Sequence, residues 1–147
     1  MKVVLALCLS LFTFFSSAAF ACTDFTGRYK NEQNEIYTVS QSACASVTVT
    51  GSDGSDTIIT DGQFRLSEEN EDVRVFTAAA FIGVNLTLNH RIEYKKPLPP
   101  EVPPTAIPVK ILEVYVKDAR GNVVLTTTIF NSTGGVLASM TSLHQRI

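Results

Sequence analysis

The clearest pattern in the chain runs from Val84 to Tyr94. Val84, Leu86, Leu88, His90, Ile92 and Tyr94 fall on one face, and Asn85, Thr87, Asn89, Arg91 and Glu93 on the other. A period of two sustained over that length marks a strand with one face in a core and one in water. Ala45 to Thr50 repeats the pattern, with Val47 and Val49 against Ser46, Thr48 and Thr50. Val73 to Ile82 is apolar on both faces, as in a well-covered strand or one beside a ligand cavity. Further strands are expected at Phe25–Lys30, Ile36–Gln41, Val109–Lys117, Asn122–Phe130 and Val136–Gln145. Thr, Val, Ile, Phe and Tyr dominate these stretches, turn residues recur between them, and no helical period appears.

The turns add two expectations. Thr57–Thr60 and Gln63–Leu66 flank Asp61-Gly62, the signal of a two-residue hairpin. All six prolines fall between Pro97 and Pro108. No central strand tolerates that density, so this segment is expected as a stiff extended loop, and in a barrel it would be placed to cover one mouth. The whole predicts a single all-β domain, an antiparallel meander of eight or nine strands. A sheet of that size must fold on itself to hide its edges. The expected solution is a small closed barrel, and the alternative is a two-layer β-sandwich.

The first apolar run belongs to a different element. Lys2 precedes apolar Val3–Phe15, and Ser16–Ala21 ends in Ala19-Phe20-Ala21. These are the zones of a signal peptide with cleavage before Cys22, and the run is short for a membrane span of about 20 residues. The domain is therefore expected at 22–147, exported to the periplasm or secreted. Cys8 leaves with the signal peptide, and Cys22 and Cys44 remain as a pair suited to an oxidising compartment. Centring a hairpin of Phe25–Lys30 and Ile36–Gln41 on Gln33, a choice made with the cysteines in view, sets Tyr29 opposite Tyr37 and Gly27 opposite Val39. It also sets Cys22 opposite Cys44, at the separation a disulfide requires. The competing fate of Cys22 is lipidation, which would anchor the protein to a membrane. The bulky Phe20 and the absence of Leu three residues before the cysteine disfavour it.

Phe25-Thr26-Gly27-Arg28-Tyr29 resembles the G-x-W or G-x-Y opening of lipocalin-like (calycin) barrels, as does a basic residue, Arg146, near the C-terminus. The resemblance implies that Tyr29 packs across the closed end of a barrel beside Arg146. It also implies an apolar ligand held inside.

Charge and motifs change this picture little. The formal net charge is −2, too weak a field to predict nucleic-acid binding. His90 lies on the apolar face of its strand and is expected as a core or lumen histidine; His144 is expected at the surface. Asp53, Asp56, Asp61, Glu68, Glu69, Glu71 and Asp72 do not fit a calcium loop. Glu113 shares a face with Ile111 and Tyr115, while Leu112, Val114 and Val116 form the face expected to be buried, which turns Glu113 to water. The sequons at Asn85 and Asn131 matter only in a eukaryote. No nucleophile, zinc, P-loop or dinucleotide motif is present. The expectation is a non-catalytic binding protein for a small apolar molecule, without cofactor or metal. The alternative is a structural, adhesive or inhibitor-like domain that acts through its surface.

Overall fold

The computed structural model describes residues 22–147; the signal-peptide reading of residues 1–21 lies outside them. The described residues form ten strands in one antiparallel sheet. They are β1 (Gly27–Lys30), β2 (Ile36–Ser42), β3 (Ser46–Gly51), β4 (Gly54–Ile59) and β5 (Arg65–Glu69). The longer ones follow: β6 (Val73–Ile82), β7 (Asn85–Tyr94), β8 (Pro108–Lys117), β9 (Val123–Asn131) and β10 (Val136–Arg146). The sheet order is β4-β3-β2-β1-β10-β9-β8-β7-β6-β5, so the first and last strands, β1 and β10, pair side by side within it. The all-β expectation and the meander hold. The β1–β2 register pairs Tyr29 with Tyr37 and Gly27 with Val39, and Cys22 and Cys44 form a disulfide with Cα atoms 5.7 Å apart.

The closed barrel of eight or nine strands is corrected to an open sheet of ten. The cause lies at Asp61-Gly62, where the expected hairpin does not form. Thr60 N still bonds to Ala45 O beside β3, whereas Gly62 N bonds to Ala79 O and Asp61 makes a bridge to Ala80 of β6. The chain steps from the edge of one half of the sheet to the edge of the other without turning back. Gly62, at φ 76°, absorbs the bend. β4 and β5 are thus the sheet's two edges, joined by one bent stretch of chain and not by a ladder between them. Strands that switch partners at a bend are one way in which a sheet turns a corner.

The sheet curls so that β1–β4 lie over one end of the longer strands. Phe25, Tyr29, Val39 and Val47 pack with Ala79, Leu86, Leu88 and Val123. Tyr29 is fully buried, and its hydroxyl donates to Phe25 O at 2.8 Å. Burying side chains of this size contributes roughly 1.5–3 kcal/mol each. The strands β6–β10 outreach β1–β4, so the far part of their inner face is left uncovered.

The proline-rich segment is at that far end, away from the core, and does not cover a mouth as expected. Its 3-10 turn, Pro104–Ala106, docks on the β9–β10 turn. Asn131 Nδ2 donates to Thr105 O and Ser132 Oγ to Pro104 O. Asn131 is itself buried, and its Oδ1 accepts from Thr133 N, Thr133 Oγ1 and Gly135 N. The Asn131 sequon is therefore a structural turn.

Candidate functional site

The inner face is read from the register. One cross-strand row is Phe81, Leu86, Tyr115 and Leu125, and the next is Ala79, Leu88, Glu113 and Thr127. A third row is Thr77, His90, Ile111 and Ile129. Strand alternation puts all three rows on the side that faces β1–β4. The first two rows help to line a cavity of about 70 Å³, closed from the other side by Phe25, Tyr29, Tyr37, Val39, Val47 and Ile58. Tyr29 and Tyr37 stack at 5.8 Å between ring centroids, and Phe25 stacks on Phe81 at 6.2 Å. A groove of about 310 Å³ runs between β4 and β5, and Ile58 lines both it and the cavity. Thr77 and Ser67 line the same groove.

A chain of polar groups crosses the strands at the edge of this cavity. Ser67 Oγ donates to Val75 O at 3.1 Å and lies 2.7 Å from Thr77 Oγ1. Thr77 Oγ1 lies 2.8 Å from His90 Nδ1. His90 Nε2 is 3.5 Å from Glu113 Oε2, which accepts from the Tyr115 hydroxyl at 2.8 Å. The carbonyl of Val75 only accepts, and this fixes the direction of the chain. The single Ser67 proton goes to Val75 O, the Thr77 proton to Ser67 Oγ, and the Nδ1 proton of His90 to Thr77 Oγ1. His90 Nε2 faces the Glu113 carboxylate at the other end of the chain. It is also the buried side-chain atom without a hydrogen-bond partner among the described residues.

Glu113 is held below its ordinary pKa of 4.5 by the facing His90 and by the Tyr115 hydroxyl, against the opposing effect of burial. Burial and the neighbouring Glu113 push the Tyr115 phenol far up. Tyr37 is pushed up to about 12, chiefly by burial. On the other side of the cavity the Tyr37 hydroxyl is 2.7 Å from His144 Nδ1, and the His144 ring sits edge-on to Tyr37 at 5.7 Å. Burial lowers the His144 pKa against the pull of Glu32.

The structure thus relocates two of the expected residues. Glu113 faces inward with His90, and not to water. His144 is half-buried against Tyr37, and not a surface residue. His90 does lie on the inner face, as its position in the Val84–Tyr94 alternation implied. Tyr29 and Arg146 are direct cross-strand partners between β1 and β10. The acidic residues of the β3–β6 region stay apart: no group of three or more His, Cys, Asp or Glu gathers around a metal position among the described residues. No helix among them is long and apolar enough to cross a membrane.

No relative is found. Family models, curated proteins and solved structures were all compared with this chain, and none matched. The site therefore stands on its own geometry.

The His90–Glu113 pair is what sequence reasoning missed. Its signal was present only as a lone carboxylate in an apolar strand and a lone histidine on an apolar face, in strands joined through the proline-rich segment.

Proposed function

We propose that this is an exported binding protein, a lipocalin-like carrier or sensor that takes a small, mainly apolar molecule onto its inner face. The observation that carries the reading is the aromatic cavity that shares Ile58 with the β4–β5 groove. Apolar walls with a few convergent polar groups at one side are the usual make-up of a small-molecule site. A cavity of about 70 Å³ admits only a few heavy atoms, so a larger ligand extends along the groove. Export is supported by the Cys22–Cys44 bridge, because such bonds persist in oxidising compartments.

The test is native mass spectrometry of the purified oxidised protein, followed by titration with short-chain aliphatic and aromatic probes. Binding that Leu88→Phe abolishes, by filling the cavity, supports the reading. Binding that is indifferent to Leu88→Phe sinks it. A second reading, action through the surface, is favoured by β10, where Val136 and Met140 are 60% and 55% exposed beside Leu137 and Leu143. Concentration-dependent association that Met140→Lys removes would favour that reading.

A further inference from the structure

We propose that the free edge of β4 is a docking site for an extended peptide segment of a partner protein, which adds to the sheet as one more strand inside the β4–β5 groove. This goes beyond the small-molecule reading above and does not depend on the cavity. The β3–β4 ladder runs without a break from Gly54 to Ile59. Its hydrogen-bonded pairs follow from Thr60 N, which bonds to Ala45 O in the same register. Alternation then gives the N–H and C=O groups of Asp56 and Ile58 to β3 and turns those of Ser55, Thr57 and Ile59 outward, into the groove. The hydroxyls of Thr48 and Thr57, and of Thr50 and Ser55, approach to 2.9 Å, as side chains do in the non-hydrogen-bonded pairs this requires. Such a row of unpaired donors and acceptors is a template for another strand.

The two edges of the sheet differ. β5 carries Arg65, Glu68 and Glu69, and a bulge lies between Leu66 and Glu68. β4 has no proline, no lysine and no bulge, and its one charge is Asp56. Bulges and charges are how edges are kept from pairing, so β4 is the edge left open. The groove beside it measures about 310 Å³ and is lined by Ile58, Thr77 and Ala79 among others. Its charges select the occupant. Arg65 is held by Asp61 at 2.7 Å, whereas Asp56 has no ion-pair partner among the described residues. Toward a new strand Asp56 and Ile58 occupy the close, non-hydrogen-bonded positions, about 4.5 Å between Cα atoms. A strand antiparallel to β4 therefore meets Ile58 with an apolar residue and, two residues later, Asp56 with a lysine or arginine. A second copy of β4 brings another aspartate in place of that cation, so the charge favours a different chain.

The probe is the capped peptide Thr-Thr-Thr-Val-Thr-Lys-Thr, added to the oxidised protein and followed by calorimetry and amide hydrogen exchange. In the free protein the Thr57 and Ile59 amides are expected to exchange fast. With peptide at about ten times its Kd they are expected to slow about tenfold. The same peptide N-methylated at the threonines on either side of Val, which blocks the bonds to β4, is expected not to bind. Glutamate in place of the lysine is expected to weaken binding about tenfold, because an opposite-charge pair becomes a like-charge pair. Asp56→Lys is expected to reverse that order; if it does not fold, the N-methylated peptide still tests the unaltered protein. Leu88→Phe, which fills the cavity, is expected to leave peptide binding unchanged. Failure of the lysine peptide to bind overturns the docking edge and leaves the small-molecule reading standing. Binding that survives N-methylation, or that is equal for lysine and glutamate, overturns it too. Protection of Thr57 and Ile59 that rises with the concentration of the free protein assigns the edge to a second copy and overturns the peptide reading.

Discussion

The two halves of this sheet follow the same alternation and put it to different use. In the β1–β4 half the strands are short, from four to seven residues, and their inward side chains are spent on the core. Strands β6–β10 span nine to eleven residues, and only the end beneath β1–β4 is covered. The covered end is dry and aromatic. Beside it the same inner face carries partly buried polar groups, Thr77, His90 and Glu113. Strand length, more than composition, thus decides where core stops and site begins.

The comparison breaks first at Tyr29. It is fully buried, stacks on Tyr37 and donates to Phe25 O. Tyr29→Ala is expected to cost about 3–5 kcal/mol, the range for removing a large aromatic from a core. Chemical denaturation of the two proteins measures it. A loss below about 1 kcal/mol would mean that β1–β4 do not cover the long strands as described.

The disulfide comes next. It spans a sequence separation of 22 residues and ties the segment entering β1 to the β2–β3 turn. Closing such a loop contributes about 3 kcal/mol in the chain-entropy model. Cys22→Ser with Cys44→Ser should lower the melting temperature by that equivalent while leaving the far end's hydrogen-exchange protection largely unchanged. Equal loss of protection at both ends would show that the halves fold as one unit.

At the far end the corresponding anchor is Asn131. Asn131→Ala removes three accepted bonds and the one given to Thr105 O, in a buried position. We expect a loss of about 2 kcal/mol, with proteolytic nicking of the proline-rich segment as the local readout.

A smaller effect separates His144 from the carboxylates. The folded protein holds His144 below its ordinary value of 6.5, so it disfavours the charged form. That contribution is complete above pH 6.5 and is lost as pH falls toward the lower folded value. Glu113 contributes in the same sense above 4.5, in a window it shares with Asp61, Glu69 and Asp118, all lowered as well. The melting temperature should therefore decline slightly just below pH 6.5 and more steeply in acid. His144→Gln should erase only the first step; a first step that persists in that variant removes His144 as its cause.

How much of this was legible depended on whether a local pattern crossed to its partner. The β1–β2 register was legible because two strands, a short turn and two cysteines all demanded it. The alternation of β7 was legible because its two faces differ in polarity. The facing of Glu113 was not, because β8 is apolar on both sides: Ile111 and Tyr115 point one way, Leu112 and Val114 the other. Its orientation is set by the register with β7, in which Leu88 pairs with Glu113, and the proline-rich segment between those strands hides that register from the sequence. Asp61-Gly62 misled for a related reason. The same residues that make a tight hairpin also make a bend, and only the free edge of β6 decides between them.

The smallest predicted effect tests the exposed β10 side of the inner face directly. Met140 lies in the same cross-strand row as Leu88 and Glu113, through Thr127. Leu88 is 5% exposed and Met140 is 55% exposed, although both occupy inner-face positions. If coverage by β1–β4 is what separates them, Leu88→Ala costs about 2–5 kcal/mol, whereas Met140→Ala stays within about 0.5 kcal/mol. Denaturation midpoints of the two variants compare them on one scale. A loss at Met140 approaching that at Leu88 would mean that the β10 side of the inner face is covered in solution, by a second copy or another partner. Such a loss would grow with protein concentration if the cover is a second copy, and would not if the face closes on itself.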